Sequence, residues 1–208
     1  YLAKKFKINF NNYKNDTEFL IRFLTNKKNL KYLNQINGMF SFINLDVASG
    51  KIYFATDPQG EKRLYYFNDK NYLIIASTPK PIIKFLNEKF YLNFDLFKKY
   101  FKTRHFMFSD KWIYEKINIS IPGKLNIFDI EKKVLSNRFF DDPIKWIDKK
   151  SYNKFKKIGL AKTTNFLKKE IKKTLNKMKP FKNFASTFSG GVDSGIVCYH
   201  LNNNLKFK

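Results

Sequence analysis

Between Met39 and Ala76 the chain is written as short apolar runs separated by tight polar turns, and this alternation restricts its fold most. Met39–Asp46 is β-prone, Ala48-Ser49-Gly50 turns it, and Lys51–Thr56 runs back. Asp57-Pro58-Gln59-Gly60 is a second turn, with proline and glycine where their backbone preferences suit one. Leu64–Phe67 and Tyr72–Ala76 flank a third turn at Asn68-Asp69-Lys70-Asn71. Strands this short, joined this tightly, predict an antiparallel meander. Pro79 and Pro81 end it, and Ile82, Ile83, Phe85 and Leu86 predict a short helix against the sheet.

Helical spacing brackets this β region. Upstream, Phe19, Leu20, Phe23 and Leu24 recur at one face, with Asn15 or Asp16 as N-cap and Glu18 in the first turn. A shorter amphipathic piece runs through Leu30 and Leu33 until Asn37-Gly38 breaks it. Downstream, Leu96–Phe101 reads as a helix, and Ile117–Ile121 leads into Pro122-Gly123-Lys124-Leu125. Leu125–Ile130 and Val134–Phe140 read as strands around Glu131-Lys132-Lys133, and Asp141-Asp142-Pro143 marks a domain boundary. From Ser151 onward Phe166, Leu167, Ile171, Leu175 and Met178 keep one helical pattern, with lysines on a solvated opposite face. Pro180 stops it.

Near the end, Phe184–Phe188 predicts a short strand, followed by Ser189-Gly190-Gly191-Val192-Asp193-Ser194 and a helix carrying Ile196-Val197-Cys198. Gly190 and Gly191 lack Cβ atoms, so backbone N–H groups there can approach a ligand closely. Ser189 and Ser194 add hydroxyls, and the helix presents its positive end to the same point. This is a cradle for phosphate or pyrophosphate. Asp193 beside an anion makes chemical sense with a divalent cation between them. The plainer reading is an ordinary strand–turn–helix junction; Asp193, Ser194 and the apolar flanks favour the nucleotide site.

Composition excludes several alternatives. No apolar run is long enough to span a membrane, and the single cysteine, Cys198, rules out a disulfide framework and fits a reducing, cytoplasmic setting. Cys198 lies on the apolar side of its helix and reads as a small buried hydrophobe. His105 and His200 lack metal-ligand spacing. The net charge of +24 raises nucleic acid as a partner. Against specific binding, the charge is almost all lysine, spread along the chain; Arg22, Arg63, Arg104 and Arg138 are the only arginine forks. Tyr1-Leu2-Ala3 has no start methionine or signal peptide, and Lys208 falls one helix after the glycine turn, so the chain is expected to be a fragment.

The segment Ser189–Ser194 resembles the Ser-Gly-Gly-x-Asp-Ser signature of the ATP pyrophosphatases. A second set of residues resembles the class II glutamine amidotransferase domain. These are Asn37-Gly38-Met39-Phe40-Ser41-Phe42, Asp46, Asp57, Gly60, Lys62, Leu64-Tyr65-Tyr66 and Ala76-Ser77, with Pro122-Gly123 further on. The two in this order resemble the glutamine-dependent asparagine synthetase family. The resemblance implies an α+β, Ntn-like amidotransferase part over 1–142, with antiparallel sheets and helices. Over 143–208 it implies the start of an α/β, parallel-sheet nucleotide-binding domain.

By the same resemblance, Asn15-Asp16-Thr17-Glu18 matches the segment whose aspartate holds the α-amino group of glutamine, which gives Asp16 that role; from the residues alone Asp16 serves equally as a plain N-cap. Thr187, Ser189, Gly190, Gly191, Asp193 and Ser194 would bind ATP and its pyrophosphate, with Asp193 near Mg²⁺. ATP would adenylate a carboxylate, aspartate first among candidates, and ammonia from glutamine would attack it. The family's nucleophile is an N-terminal cysteine, which would precede Tyr1, so these residues contain no catalytic nucleophile. Thr56, Arg63 and Thr78 depart from the family's arginine, proline and glutamate and indicate a divergent member. A homodimer is compatible with the resemblance. The alternatives are a relative forming amides or lactams on a sugar or secondary metabolite, and a degenerate basic binding module.

Overall fold

The computed structural model describes residues 9, 13–87, 89, 91–104, 109–146, 148–178 and 186–204. It divides into two units, Tyr1–Ile147 and Asp148–Lys208. The division falls a few residues past the expected Asp142–Pro143 boundary.

The first unit is α+β. Helix α1 (Asp16–Thr25) is followed by a 3-10 turn, Lys27–Gln35. Strands β1 (Ser41–Asp46) and β2 (Lys51–Thr56) form a hairpin around Gly50, whose φ of 60° is the left-handed conformation glycine adopts freely. Strands β3 (Tyr65–Asn68) and β4 (Leu73–Ala76) form a second hairpin. After α2 (Pro79–Leu86) and α3 (Phe94–Thr103) come β5 (Asn118–Ile119), β6 (Lys124–Asp129) and β7 (Val134–Phe139).

The single meander expected over residues 39–76 is not what forms. The hairpins enter different sheets, ordered β1-β2-β6-β7 and β4-β3-β5, with every pairing antiparallel. Local turn chemistry specifies each hairpin, but which strands pair beyond it depends on distant partners: β2 finds β6, with Phe54 opposite Asn126.

Period-two alternation then builds three apolar layers. Ala55 and Leu125 face α1 and the 3-10 turn, packing with Phe19, Phe23, Leu24, Leu30, Leu33 and Phe40. The opposite face of the same sheet carries Phe54, which meets Leu64 and Tyr66; the Phe54 and Tyr66 rings lie edge to face at 5.3 Å. The far face of the second sheet packs Tyr65, Phe67 and Ile117 against Ile82 of α2. The order of layers is helix, sheet, sheet, helix. Burying side chains the size of Phe54 or Leu33 contributes about 1.5–3 kcal/mol each.

In the second unit, Asp148 caps α4 (Lys149–Ile158) by accepting from the Lys150 and Ser151 amides at 2.9 and 3.1 Å. Helix α5 (Leu160–Met178) follows, and α6 (Val192–Asn204) lies beyond. The single helix expected from Ser151 is thus two. Gly159, at φ 80° and ψ 167°, leaves the helical region, and Phe155 folds onto Phe166 across the break at 5.1 Å. The strand expected over Phe184–Phe188 is absent from its described part, since Ser186–Ser189 is irregular. A strand needs a ladder partner, and the described residues supply none there. Pro180, Phe184, Ala185 and His105 lie outside the described residues.

Candidate functional site

Two places carry the residues that the sequence singles out. The first is the start of α1. Asn15, in extended conformation, places Oδ1 at 2.8 Å from the Glu18 amide and is the N-cap. Glu18 reaches back, its Oε2 accepting the Lys14 amide at 2.8 Å, while its Oε1 accepts from Arg22 at 2.8 Å. The Lys14 amide above all, and then the Arg22 charge and hydrogen bond, outweigh desolvation and hold the Glu18 carboxyl below its ordinary value. Arg22 in turn lies 5.5 Å over the Tyr13 ring. Asp16, the alternative cap, is exposed, and its carboxylate has no hydrogen-bond partner among the described residues. The Asn-x-x-Glu spacing was the available sequence signal for this reciprocal cap.

The base under this helix is fixed by two amide side chains. Asn29 donates to the Phe23 carbonyl at 2.8 Å, and Asn44 of β1 donates to the Leu24 carbonyl at 3.1 Å. Lys27 pairs with Asp46, which also accepts from Ser49; the Lys27 hydrogen bond is the main reason the Asp46 carboxyl is held below its ordinary value.

The motif residues after β2 do structural work. Asp57 is 1% exposed, and its carboxylate accepts the Gln59, Glu61 and Lys62 amides at 3.0, 3.2 and 3.0 Å. These bonds shape the crossover from one sheet to the other and leave Asp57 inaccessible to a substrate. Thr56, fully buried, donates its hydroxyl to the Lys62 carbonyl. Gly60 (φ 70°) lets this crossover press against Pro122: a Cβ there would lie 2.8 Å from Pro122 Cγ. The departures Arg63 and Thr78 are exposed.

The second place is the bend leading into α6. Gly190 has φ 80° and open space around it. Ser189 and Ser194, five residues apart, meet with their hydroxyl oxygens at 3.0 Å. Ser194 also donates to the Gly191 carbonyl at 3.1 Å and accepts the Ser189 amide at 3.3 Å. The hydroxyls therefore clasp the bend instead of pointing away from it. The Gly195 amide closes the first helical bond on Gly191 at 2.9 Å. The amides of Gly190, Val192, Asp193 and Ser194 meet no acceptor among the described residues. A helix start leaves such donors for an anion, and its dipole favours negative charge.

Asp193 is exposed in the first turn of α6, and Thr187 is exposed just before the bend. Among the described residues no group of three or more His, Cys, Asp or Glu could hold a metal. The bend therefore offers a divalent cation one carboxylate, that of Asp193. Cys198 is half-buried and not the buried hydrophobe expected, and its Sγ lies 3.3 Å from the polar Ser186 Oγ. No helix among the described residues is long and apolar enough to cross a membrane.

The family described as glutamine amidotransferase domain matches residues 3–140. No curated protein sequence gives a significant match.

Proposed function

Because this chain belongs to the glutamine amidotransferase domain family, we propose that it is part of an ATP-dependent, glutamine-hydrolysing amidotransferase of the asparagine synthetase type. The observation that carries this reading is the order of parts: a family match over 3–140 followed by an open, anion-ready helix start at Ser189–Ser194. The first unit would bind glutamine, and the second would begin a domain that couples amide formation to ATP cleavage into AMP and pyrophosphate.

Each residue's part follows from its surroundings. Asp16, freed from capping by Asn15 and Glu18, is an exposed carboxylate able to accept from the ammonium of glutamine. At the bend, the Gly190, Val192, Asp193 and Ser194 amides would hold the departing pyrophosphate as its charge grows, which is where fixed donors contribute most to rate. The Ser189–Ser194 clasp keeps those amides aimed before ligand arrives, and Thr187 would meet the nucleotide through its main chain. Bound Mg²⁺ would supply charge neutralisation on the phosphates. Aspartate is the acceptor this reading favours.

The test uses the natural full-length protein with glutamine, ATP, Mg²⁺ and a panel of carboxylic acids, reading pyrophosphate release. Aspartate-dependent release that Asp193→Ala lowers by about a hundredfold, the size of losing a transition-state contact, supports the reading. Release triggered by a sugar acid or a secondary-metabolite acid would move the protein to an amide-forming relative. An unchanged rate in Asp193→Ala would remove the nucleotide-site assignment.

A further inference from the structure

Lysine is spread along the whole chain, but the excess of base over acid is densest in one segment. Residues 149–178 hold eleven lysines against one acid, Glu170, a net +10 of the chain's +24. Coding bias alone enriches lysine everywhere; it does not explain a segment nearly cleared of acids. On α5, Lys162, Lys169, Lys173 and Lys177 are all exposed, and their spacing of seven, four and four residues puts them on one helix face. Leu167, Ile171 and Leu175 fall on the opposite face by the same geometry.

Among the described residues one acid, Glu170, opposes this row. Lys169 and Lys173, Lys173 and Lys177, and Lys168 and Lys172 are like charges one turn apart, an arrangement that destabilises a helix. Among the described residues the counter-charge on α5 is Glu170, 3.2 Å from Lys173. Lys169, Lys173 and Lys177 follow one another at about 6 Å of helix rise, comparable to the step between neighbouring phosphates on one nucleic-acid strand, and Lys162 lies about 10 Å before Lys169. Lysines opposite an apolar face also suit a helix lying on an anionic bilayer; the phosphate-like step of the row favours a nucleic-acid strand, and the vesicle arm of the test below separates the two.

We propose that the lysine row Lys162–Lys169–Lys173–Lys177 of α5 is a sequence-independent binding face for the phosphates of a nucleic-acid strand. Without arginine forks it reads charge and not bases. The proposal stands apart from the amidotransferase reading and uses none of its residues.

The test is fluorescence anisotropy of a labelled single-stranded oligouridylate titrated with the 208-residue chain. Four lysines on a single strand predict a log–log salt slope of about −3, hence roughly 50-fold weaker binding between 50 and 200 mM salt. The triple variant Lys169→Gln, Lys173→Gln, Lys177→Gln should bind at least tenfold more weakly, with a slope shallower by about 2. The matched triple Lys98→Gln, Lys99→Gln, Lys102→Gln on α3 removes the same net charge from exposed positions and should change affinity less than about twofold. Glutamine keeps helix propensity, and circular dichroism verifies it. Should the triple lose helix, the single Lys162→Gln still predicts a slope shallower by about 0.7. Equal losses from both triples would show diffuse attraction and overturn the proposal. So would absence of oligonucleotide binding at 50 mM salt, or binding to phosphatidylserine vesicles in its place.

Discussion

Asn15 and Glu18 cap the first helix reciprocally: Asn15 Oδ1 accepts the Glu18 amide at 2.8 Å, and Glu18 Oε2 accepts the Lys14 amide at 2.8 Å. Asp16, between them, takes no share in the cap. Asn15→Ala should cost about 1 kcal/mol, while Asp16→Ala should stay within about 0.5 kcal/mol, as exposed substitutions do. Urea denaturation of the two variants measures the difference. Glu18 adds a pH signature. Its folded pKa lies below the ordinary 4.5, so its contribution is present above about that pH and is lost as pH falls through the folded value. Glu18→Gln should flatten the acid limb of the stability curve.

Gly123 and Gly50 share a positive φ but not a setting. A Cβ on Gly123 would stand 1.9 Å from the Asp141 carbonyl oxygen, whereas one on Gly50 would meet nothing within 4 Å. Gly50→Ala should cost about 1–2 kcal/mol for the left-handed backbone alone. Gly123→Ala must also displace main chain, so a loss above 4 kcal/mol is expected. Thermal melts of the two variants separate strain from collision.

Asp57, itself buried, holds three amides of the crossover. Asp57→Ala should destabilise the first unit by about 2 kcal/mol, because three part-buried donors lose their acceptor. Asp57→Asn, retaining one acceptor oxygen, should lose less. Chemical denaturation with both variants checks the order.

Tyr66 is pushed up to about 12, first by burial, which disfavours the phenolate, and second by the Asp110 charge. The unfolded chain ionises this phenol near 10.0 while the folded chain keeps its proton to about 12. Stability should therefore be independent of this group below pH 10 and fall as pH rises from 10 to 12. Tyr66→Phe should remove that slope, read by denaturation at several pH values alongside absorbance titration.

What the sequence discloses and what it hides divide along a physical line. The β1–β2 turn was legible because Ala48-Ser49-Gly50 states a local conformation, and Lys51–Thr56 forms over those residues. The pairing of β2 with β6 was not, because it joins residues some seventy positions apart through burial of Phe54 and Leu125. Apolar spacing in residues 151–178 concealed the break at Gly159, since phase continues across a one-residue interruption. At the candidate sites, residue types pointed to Asp16 and Ser189–Ser194. The Asn15-x-x-Glu18 spacing marked the cap that leaves Asp16 out, whereas nothing local disclosed that the two serines would engage each other.

The measurement that tests the account most directly is pyrophosphate release by the natural full-length protein carrying Asp16→Ala, driven in parallel by glutamine and by free ammonia. If Asp16 holds the glutamine ammonium and the bend at Ser189–Ser194 serves a separate nucleotide reaction, kcat/KM for glutamine falls at least tenfold while ammonia-driven release stays within about twofold. Equal losses with both nitrogen sources, or no loss with either, would contradict it.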